Sequence, residues 1–193
     1  TLREFKRLGR ELEENGIALI QDVVVNHAGD YFEFQSDGHL HFHNLDRPKQ
    51  PLLRHFPPNS AEAHRYSWHS RHRSVYHRLP SIQNYRDSLQ KLQGQMSGLD
   101  DLRTESPALR RRLRRAYQKW VKRGRLRGMR MDTPIYVEKD FWEDFLHRPG
   151  VFNPGLQRVA EREGRNLWTF GELWTHSEAW SDLGEQEAAT YTL

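Results

Sequence analysis

Hydrophobic and polar residues follow two different periods along the N-terminal part of the chain, and this predicts an α/β organisation. In residues 2–12, leucine and phenylalanine recur every three or four positions, which is typical of an amphipathic helix. Asn15–Gly16 then supplies a helix end. Residues 17–25 form an almost unbroken run of apolar side chains, which is typical of a strand that is buried on both faces. A helix, a short turn and a buried strand in succession are the repeat of a parallel α/β fold.

The same alternation returns in the second half of the chain. Pro107 suits the first turn of a helix, Thr104 or Ser106 can cap that helix, and Gly124 ends it. The pattern then predicts a strand, two helical pieces and another strand. The predicted ranges are helix 107–122, strand 126–132, helical pieces 138–146 and 156–162, and strand 166–172.

Residues 28–98 separate these two patterned regions and show little periodicity themselves. They hold most of the histidines and many of the prolines and aromatic residues. A loop of this length is uncommon inside a domain, so the sequence predicts a functional insertion or a small subdomain here.

Composition narrows the class of protein. The chain has 193 residues, of which 36% are hydrophobic and 29% charged, and this is enough for a folded domain with its own core. It has no cysteine, which excludes disulfides and thiol chemistry. No run approaches the 18 apolar residues of a membrane span, so we expect no membrane partner. The first residues lack a signal-peptide pattern and look like the interior of an amphipathic helix, so we expect the chain to start within a domain, in a compartment that the sequence leaves open.

Positive charge is concentrated between Arg110 and Arg130, where eleven residues are lysine or arginine. One interpretation is a basic helix over residues 109–125 that binds nucleic acid. The other is an amphipathic helix with a buried apolar stripe and arginine-rich outer faces. No zinc-finger, helix–turn–helix or RNA-binding motif accompanies the charge, which favours the second interpretation and no nucleic-acid partner.

Two of the predicted strands end in an acidic residue, one in Asp132 and the other in Glu172. Parallel strands in barrels and open sheets carry their chemistry at their carboxyl ends. If the two strands are neighbours, they lie about 4.8 Å apart, and their carboxyls approach the roughly 5–5.5 Å separation of a retaining glycosidase. The alternative is that Asp132 caps the following helix and Glu172 is an ordinary loop residue.

The residues beside these two acids predict different roles for them. Arg130 lies two positions before Asp132 on the same side of the strand, so we expect its guanidinium to keep Asp132 ionised, as a nucleophile requires. Phe170 and Trp174 flank Glu172, and we expect their apolar surface to raise the pKa of Glu172, as a general acid requires.

Four short motifs add a family resemblance to this interpretation. They are Asp-Val-Val-Val-Asn-His at 22–27, Leu-Asp-Asp-Leu at 99–102, Gly-Met-Arg-Met-Asp at 128–132 and Phe-Gly-Glu at 170–172. In this order, and with a long insertion after the first, they resemble conserved regions of the α-amylase family, glycoside hydrolase family 13. The resemblance implies an α/β fold that is a segment of a (β/α)8 TIM barrel, from barrel helix 2 to just past strand 5.

The same resemblance implies three stretches of chain. Barrel helix 2 and strand 3 occupy residues 1–27, a B-domain-like insertion occupies 28–98, and barrel helix 3 to strand 5 with the following loop occupies 99–193.

The resemblance also implies roles for individual residues. Asp132 matches the nucleophile, Glu172 the general acid/base, and Arg130 the arginine that orients the nucleophile. His27 matches a histidine that contacts the sugar in the central subsite. Tyr136 stands where the family commonly has a histidine that lines the substrate cleft.

Further positions concern sugar stacking and metal binding. Trp174 is the best candidate to stack on a sugar, because it follows the predicted acid/base closely. Asn26 and Asp101 match positions that often bind a structural calcium, and both offer the oxygen ligands that this ion prefers. Asp22 matches a structural aspartate. The resemblance requires no other cofactor.

The function implied is that of a retaining α-glycosidase or transglycosylase acting on α-glucans or α-glucosides. The family's strand-seven motif, which ends in Asn-His-Asp and carries a third catalytic carboxylate, has no match in this chain, so we expect the isolated chain to be inactive or nearly so. Alternatives are a catalytically dead remnant or sugar-binding module, and a basic nucleic-acid-binding protein. The sequence leaves open the linkage, the choice between hydrolysis and transfer, and the oligomeric state.

Overall fold

The computed structural model describes residues 1–29, 75–77 and 79–173, and the backbone of residues 32–34 and 40–42. The chain divides into two units. Unit 1 comprises Thr1–Val25 and Pro107–Leu193, and unit 2 comprises Asn26–Ser106. Within the described ranges, no helix is long and apolar enough to cross a membrane.

Helices and strands alternate along unit 1, and unit 2 contributes a hairpin and a short helix. In chain order the elements are α1 (Leu2–Glu14), β1 (Ile20–Val23), β2 (Phe32–Phe34), β3 (Leu40–Phe42), α2 (Ser88–Gln93), α3 (Pro107–Gly124), β4 (Gly128–Met131), a 3-10 turn (Pro134–Tyr136), α4 (Lys139–Trp142), a π-helical turn (Glu143–His147), α5 (Leu156–Arg162) and β5 (Trp168–Gly171).

The sheet of unit 1 has three strands in the order β1-β4-β5, and both pairs are parallel. Arg130 of β4 lies opposite Asp22 of β1 on one side and Phe170 of β5 on the other. The predictions of parallel strands with intervening helices, and of neighbouring strands 126–132 and 166–172, are therefore confirmed.

Helix α1 ends where its sequence predicts, and Thr1 caps its first turn. The Thr1 side chain accepts a hydrogen bond from the backbone of Glu4, whose own side chain closes a capping box. The helix ends before Gly16, which has a positive φ of 71°. Gly9 lies so close to Gly124 of α3 that a Cβ at Gly9 would overlap the Gly124 backbone. The two helices can pack this closely only because both positions are glycine.

Helix α3 is amphipathic, and its arginines divide into inner and outer groups. On the inner side, Arg114 is buried and paired with Asp144, and Arg110 donates two hydrogen bonds of 2.8 and 3.0 Å to Asp140. The interpretation as a helix with a buried stripe is confirmed. The side chains of that stripe that pack in or against the core are Leu109, Leu113, Tyr117, Trp120 and Val121.

The hydrophobic core of unit 1 lies on one face of the sheet. Val23, Met129 and Met131 point to this face, have no exposed surface and pack with side chains of the helices. On the other face, the side chains of Ile20 and Trp168 are 42% and 63% exposed. The prediction that the first strand is buried on both faces is wrong, because no element in the described part of unit 1 covers this second face.

The predicted helix 138–146 is divided in the structure. It forms the α-helical turn α4 and then a wider π-helical turn, Glu143–His147. The neighbouring side chains of Phe145 and Leu146 are both fully buried there, while Asp144 reaches Arg114. The tertiary contacts of Asp144, Phe145 and Leu146 thus favour a π-helical turn where the sequence predicts a continuous α-helix.

Unit 2 contains the antiparallel pair β2–β3 and helix α2. Asp87 caps α2 by accepting hydrogen bonds from the backbone of Leu89 and Gln90. Residues 75–77 run alongside residues 101–103, with a bridge between Tyr76 and Leu102. The predicted stretch boundaries at 27/28 and 98/99 stay a prediction.

Candidate active site

The two predicted catalytic acids lie at the same end of neighbouring strands. The backbone N–H of Asp132 donates to the carbonyl of Val23 at 3.0 Å, and that of Glu172 donates to the carbonyl of Met131 at 2.8 Å. Because these bonds continue the ladders of the parallel sheet, they fix both residues at its carboxyl edge. The site is therefore positioned by sheet backbone rather than by a free loop.

Arg130 joins two carboxylates at this edge. Its Nη1 donates to Asp22 and its Nη2 pairs with Glu172. Burial works to lower the pKa of Arg130, but the charges and hydrogen bonds of the two carboxylates outweigh it and raise the pKa. A permanent cation thus connects the ends of β1, β4 and β5.

The carboxyl of Asp132 has a raised pKa. Burial raises it most, and a hydrogen bond with Glu172 and the negative charges of Glu172 and Asp22 raise it further. A hydrogen bond from the Thr133 hydroxyl works in the opposite direction. A buried carboxyl that faces other acids holds its proton more tightly than a free one.

One expectation about these acids is wrong. Arg130 was expected to hold the pKa of Asp132 down, but burial, Glu172 and Asp22 raise this pKa, and the guanidinium extends across the strands to Asp22 and Glu172 instead. The carboxyl separation of a retaining pair stays a prediction. The alternative in which Asp132 caps a helix is also wrong, since Thr133 holds the N-cap position there.

Thr133 is a site residue that sequence reasoning missed. Its backbone is left-handed, with φ 49° and ψ 45°, which is costly for a β-branched residue. Its side chain is buried, and Oγ1 donates to Oδ2 of Asp132 at 3.3 Å. Pro134 begins the 3-10 turn, but a proline favours extended backbone in the residue before it, so it does not indicate the left-handed form of Thr133.

The aromatic candidates have different outcomes. Trp174 lies outside the described residues. Phe170 packs against Trp168 with ring centroids 4.7 Å apart, on the open face of the sheet. Tyr136, which was expected to contact substrate, lies in the 3-10 turn and is only 3% exposed, so its contact with a sugar stays a prediction.

In unit 2, the other family-like residues come together. The backbone carbonyl of Asn26 accepts a hydrogen bond from Leu102 at 2.8 Å, and His27 bridges Asp101. The Asn26 amide nitrogen is 3.4 Å from Nδ1 of His27. Burial lowers the pKa of His27, which favours the neutral imidazole. The contact of His27 with sugar stays a prediction.

Calcium binding by Asn26 and Asp101 stays a prediction, and one oxygen of Asp101 already has a histidine as its partner. His77 Nδ1 lies 2.6 Å from Oδ2 of Asp101 and so uses one of the oxygens that a metal would need. Calcium takes six to eight oxygen ligands. Among the described residues, there is no group of three or more histidine, aspartate or glutamate side chains that could hold a metal ion.

Comparison with known proteins places this site in a family. Residues 1–189 match the model of the alpha amylase catalytic domain. Among curated proteins, the alpha-amylase of Streptomyces lividans is 24% identical over 91% of this chain and 21% of its own length. Neopullulanase 2 of Thermoactinomyces vulgaris is 26% identical over 96% of this chain and 26% of its own length. The chain thus spans about a quarter of the length of these two relatives.

A solved structure agrees on the fold. The alpha-amylase of Geobacillus thermoleovorans, complexed with acarbose, superposes with a TM-score of 0.58 at 21% identity, over 97% of this chain and 33% of its own. The three parallel strands of unit 1 are consistent with part of a TIM barrel. With the family match over nearly its whole length, the chain belongs to the alpha-amylase family of glycoside hydrolases.

Proposed function

We propose that this chain supplies the nucleophile and the acid/base of a retaining α-glycosidase or transglycosylase that acts on α-glucans or α-glucosides. The observation that carries the proposal is the pair of Asp132 and Glu172, in contact at the carboxyl edge of adjacent parallel strands. The names of the relatives, alpha-amylase and neopullulanase, and the acarbose in one solved structure support an α-glucan as substrate.

The reaction would proceed in two displacements. In the first, an Asp132 oxygen attacks the anomeric carbon, the glycosidic C–O bond breaks, and Glu172 gives its proton to the leaving oxygen. In the second, Glu172 takes a proton from water or from the hydroxyl of an acceptor sugar. That oxygen attacks the anomeric carbon, the bond to Asp132 breaks, and the starting protonation is restored.

The ligand-free geometry sets a requirement on substrate entry. Contact with Glu172 raises the pKa of Asp132, whereas a nucleophile must be ionised. A sugar that enters between the two carboxyls must part them. Separation removes the hydrogen bond and lessens the repulsion that raise the pKa of Asp132, so substrate entry itself favours the ionised nucleophile.

Arg130 would have a positioning role in this cycle. It is held by Asp22 across the strand and keeps Glu172 at the sheet edge. When substrate parts Glu172 from Asp132, the guanidinium would stay anchored by Asp22 and keep Glu172 near the sheet edge, where the acid/base must act.

The proposal is tested on the natural gene product that carries this sequence, with fluorogenic α-maltooligosides as substrates. Asp132→Asn is expected to lower kcat by at least about 10³-fold, because no nucleophile remains. Asp140→Asn, on the exposed partner of Arg110, is the matched control and is expected to keep wild-type turnover. Mass spectrometry of enzyme trapped with a fluorinated glycosyl fluoride is expected to find the sugar on the peptide that contains Asp132.

Full turnover in Asp132→Asn, or trapped sugar on another peptide, would contradict the proposal. A gene product that binds maltooligosaccharides without cleaving any would support the sugar-binding alternative instead. The isolated 193-residue chain is expected to show little or no turnover, because the third carboxylate of the family has no match in it.

A further inference from the structure

We propose that the imidazole of His77 takes the place of a calcium ion beside Asp101, so that residues 75–77 and 99–105 of unit 2 are held together without a metal. The inference starts from the conflict between the family-like residue Asp101 and the side chain that contacts it.

His77 lies between two carboxylates. Its Nδ1 is 2.6 Å from Oδ2 of Asp101, and its Nε2 is 3.2 Å from Oε1 of Glu105. Arg103 reaches the same Glu105 oxygen with its Nε at 3.0 Å. Both ring nitrogens therefore contact a carboxylate, and the guanidinium of Arg103 also pairs with the outer carboxylate, Glu105.

The contact between His77 and Asp101 is buried. The side chain of His77 is 8% exposed and that of Asp101 is 2% exposed. A buried carboxylate needs a hydrogen-bonded partner or a counter-charge, since removal from water is costly. The histidine meets this need from inside the chain, in the role that a bound cation has in a metal site.

The backbone shows what the contact joins. The N–H of His77 donates to the carbonyl of Asp101 at 3.0 Å, and the N–H of Arg103 donates to the carbonyl of Val75 at 2.8 Å. The His77 side chain thus reinforces a pairing of two segments that the backbone already makes. A calcium ion bound through Oδ2 of Asp101 would have to displace the ring from that oxygen.

The first experiment measures hydrogen exchange and thermal unfolding of the wild-type chain in calcium chloride and in EGTA. The expected result is equal protection of the peptides over residues 75–77 and 99–105, and equal melting temperatures. Slower exchange of these peptides in calcium, lost in Asp101→Asn, would show that Asp101 is a metal ligand and would overturn the proposal.

The second experiment removes the imidazole. His77→Ala is expected to lower the melting temperature by about 5 °C or more, because it leaves Asp101 buried without that partner. It is also expected to speed exchange of the 99–105 peptide by at least about tenfold. His147→Ala, an exposed histidine in unit 1, is the matched control and is expected to change neither reading.

Unchanged exchange in His77→Ala would equally overturn the proposal. The hydrogen-exchange reading is local, so it decides the matter even if the variant unfolds without a clear thermal transition. A double variant, His77→Ala with Asp101→Asn, is expected to recover part of the lost protection, because the stranded charge is gone as well.

Discussion

The two faces of the sheet in unit 1 differ in what covers them and in what they carry. On one face, Val23 and Met131 are fully buried under helices. On the other, Asp22 and Arg130 form an ion pair whose side chains are 54% and 32% exposed. The same strands supply both faces, because successive side chains point in opposite directions.

Within one strand, the side chains on the covered face therefore contribute to stability, and those on the open face contribute to the active site. Side chains on the covered face are held by close packing, so their loss leaves cavities. Charges on the open face keep part of their hydration, so the ion pairs of Arg130 with Asp22 and Glu172 form there with less desolvation than a fully buried pair. We therefore expect substitutions on the covered side to affect folding, and substitutions on the open face to affect protonation and turnover.

The largest predicted contrast compares two aspartates that each pair with an arginine. Asp144→Ala strands Arg114, whose side chain is only 2% exposed, and is expected to lower the free energy of unfolding by about 3–5 kcal/mol. Asp22→Ala removes a hydrated partner of Arg130 and is expected to cost less than about 1 kcal/mol. Urea denaturation of both variants measures the difference, and equal losses would remove the distinction between the two sides.

A smaller contrast uses two adjacent valines. Val23→Ala is expected to lower the free energy of unfolding by about 2 kcal/mol, because the side chain is fully buried. Val24→Ala, on the open face with 38% exposure, is expected to cost about 0.5 kcal/mol. Urea denaturation measures the loss in free energy of unfolding for both variants. Equal losses would mean that Val24 is as buried in solution as Val23, and that the second face of the sheet is covered.

The third prediction concerns pH. Glu172→Gln is expected to lower the pKa of Asp132, since the charge of Glu172 contributes to raising it, while burial keeps it above its ordinary value. Glu161→Gln, an exposed site on α5, is the control. The carboxyl carbon shift of Asp132 in an NMR titration gives the pKa directly.

The same pKa shift has a signed effect on stability. Asp132 binds its proton more tightly in the folded than in the unfolded chain, so its protonation adds to the free energy of unfolding. This stabilisation is complete below the ordinary aspartate pKa and is lost as the pH rises through the raised pKa of folded Asp132. The loss is expected to be smaller in Glu172→Gln. If the contribution of Asp132 to the free energy of unfolding rose with pH between its ordinary and its raised pKa, the pKa would be lowered in the folded chain and the prediction would be wrong.

The smallest effect is expected at Thr133. Thr133→Val keeps the shape of the side chain but removes the hydrogen bond to Asp132, so the pKa of Asp132 is expected to rise further. Thr133→Ser keeps the hydroxyl and is expected to restore the wild-type pKa. Indistinguishable titrations of the two variants would show that the hydroxyl has no effect on the nucleophile.

Much of the fold could be predicted because it is encoded in local patterns. Gly16 and Pro107 mark helix ends, and apolar runs before Asp132 and Glu172 mark strands. The neighbouring order of these strands followed from the usual geometry of parallel α/β units.

The electrostatics of the site could not be predicted in the same way, because they depend on contacts between distant segments. Arg130 bonds to Asp22, 108 positions earlier, rather than acting only on the acid two positions later. His77 meets Asp101 through a pairing of segments 24 positions apart. The left-handed backbone of Thr133 has no sequence signal.

The parallel pairing of β1 with β4 also has a consequence for how unit 1 folds. The paired residues are 108 positions apart, whereas β4 and β5 pair over about 40. Closing the longer loop costs about 0.9 kcal/mol more in chain entropy. We therefore expect β4, α5 and β5 to assemble first and β1 to dock last, so that the ionic network around Arg130 becomes complete only in the final step of folding.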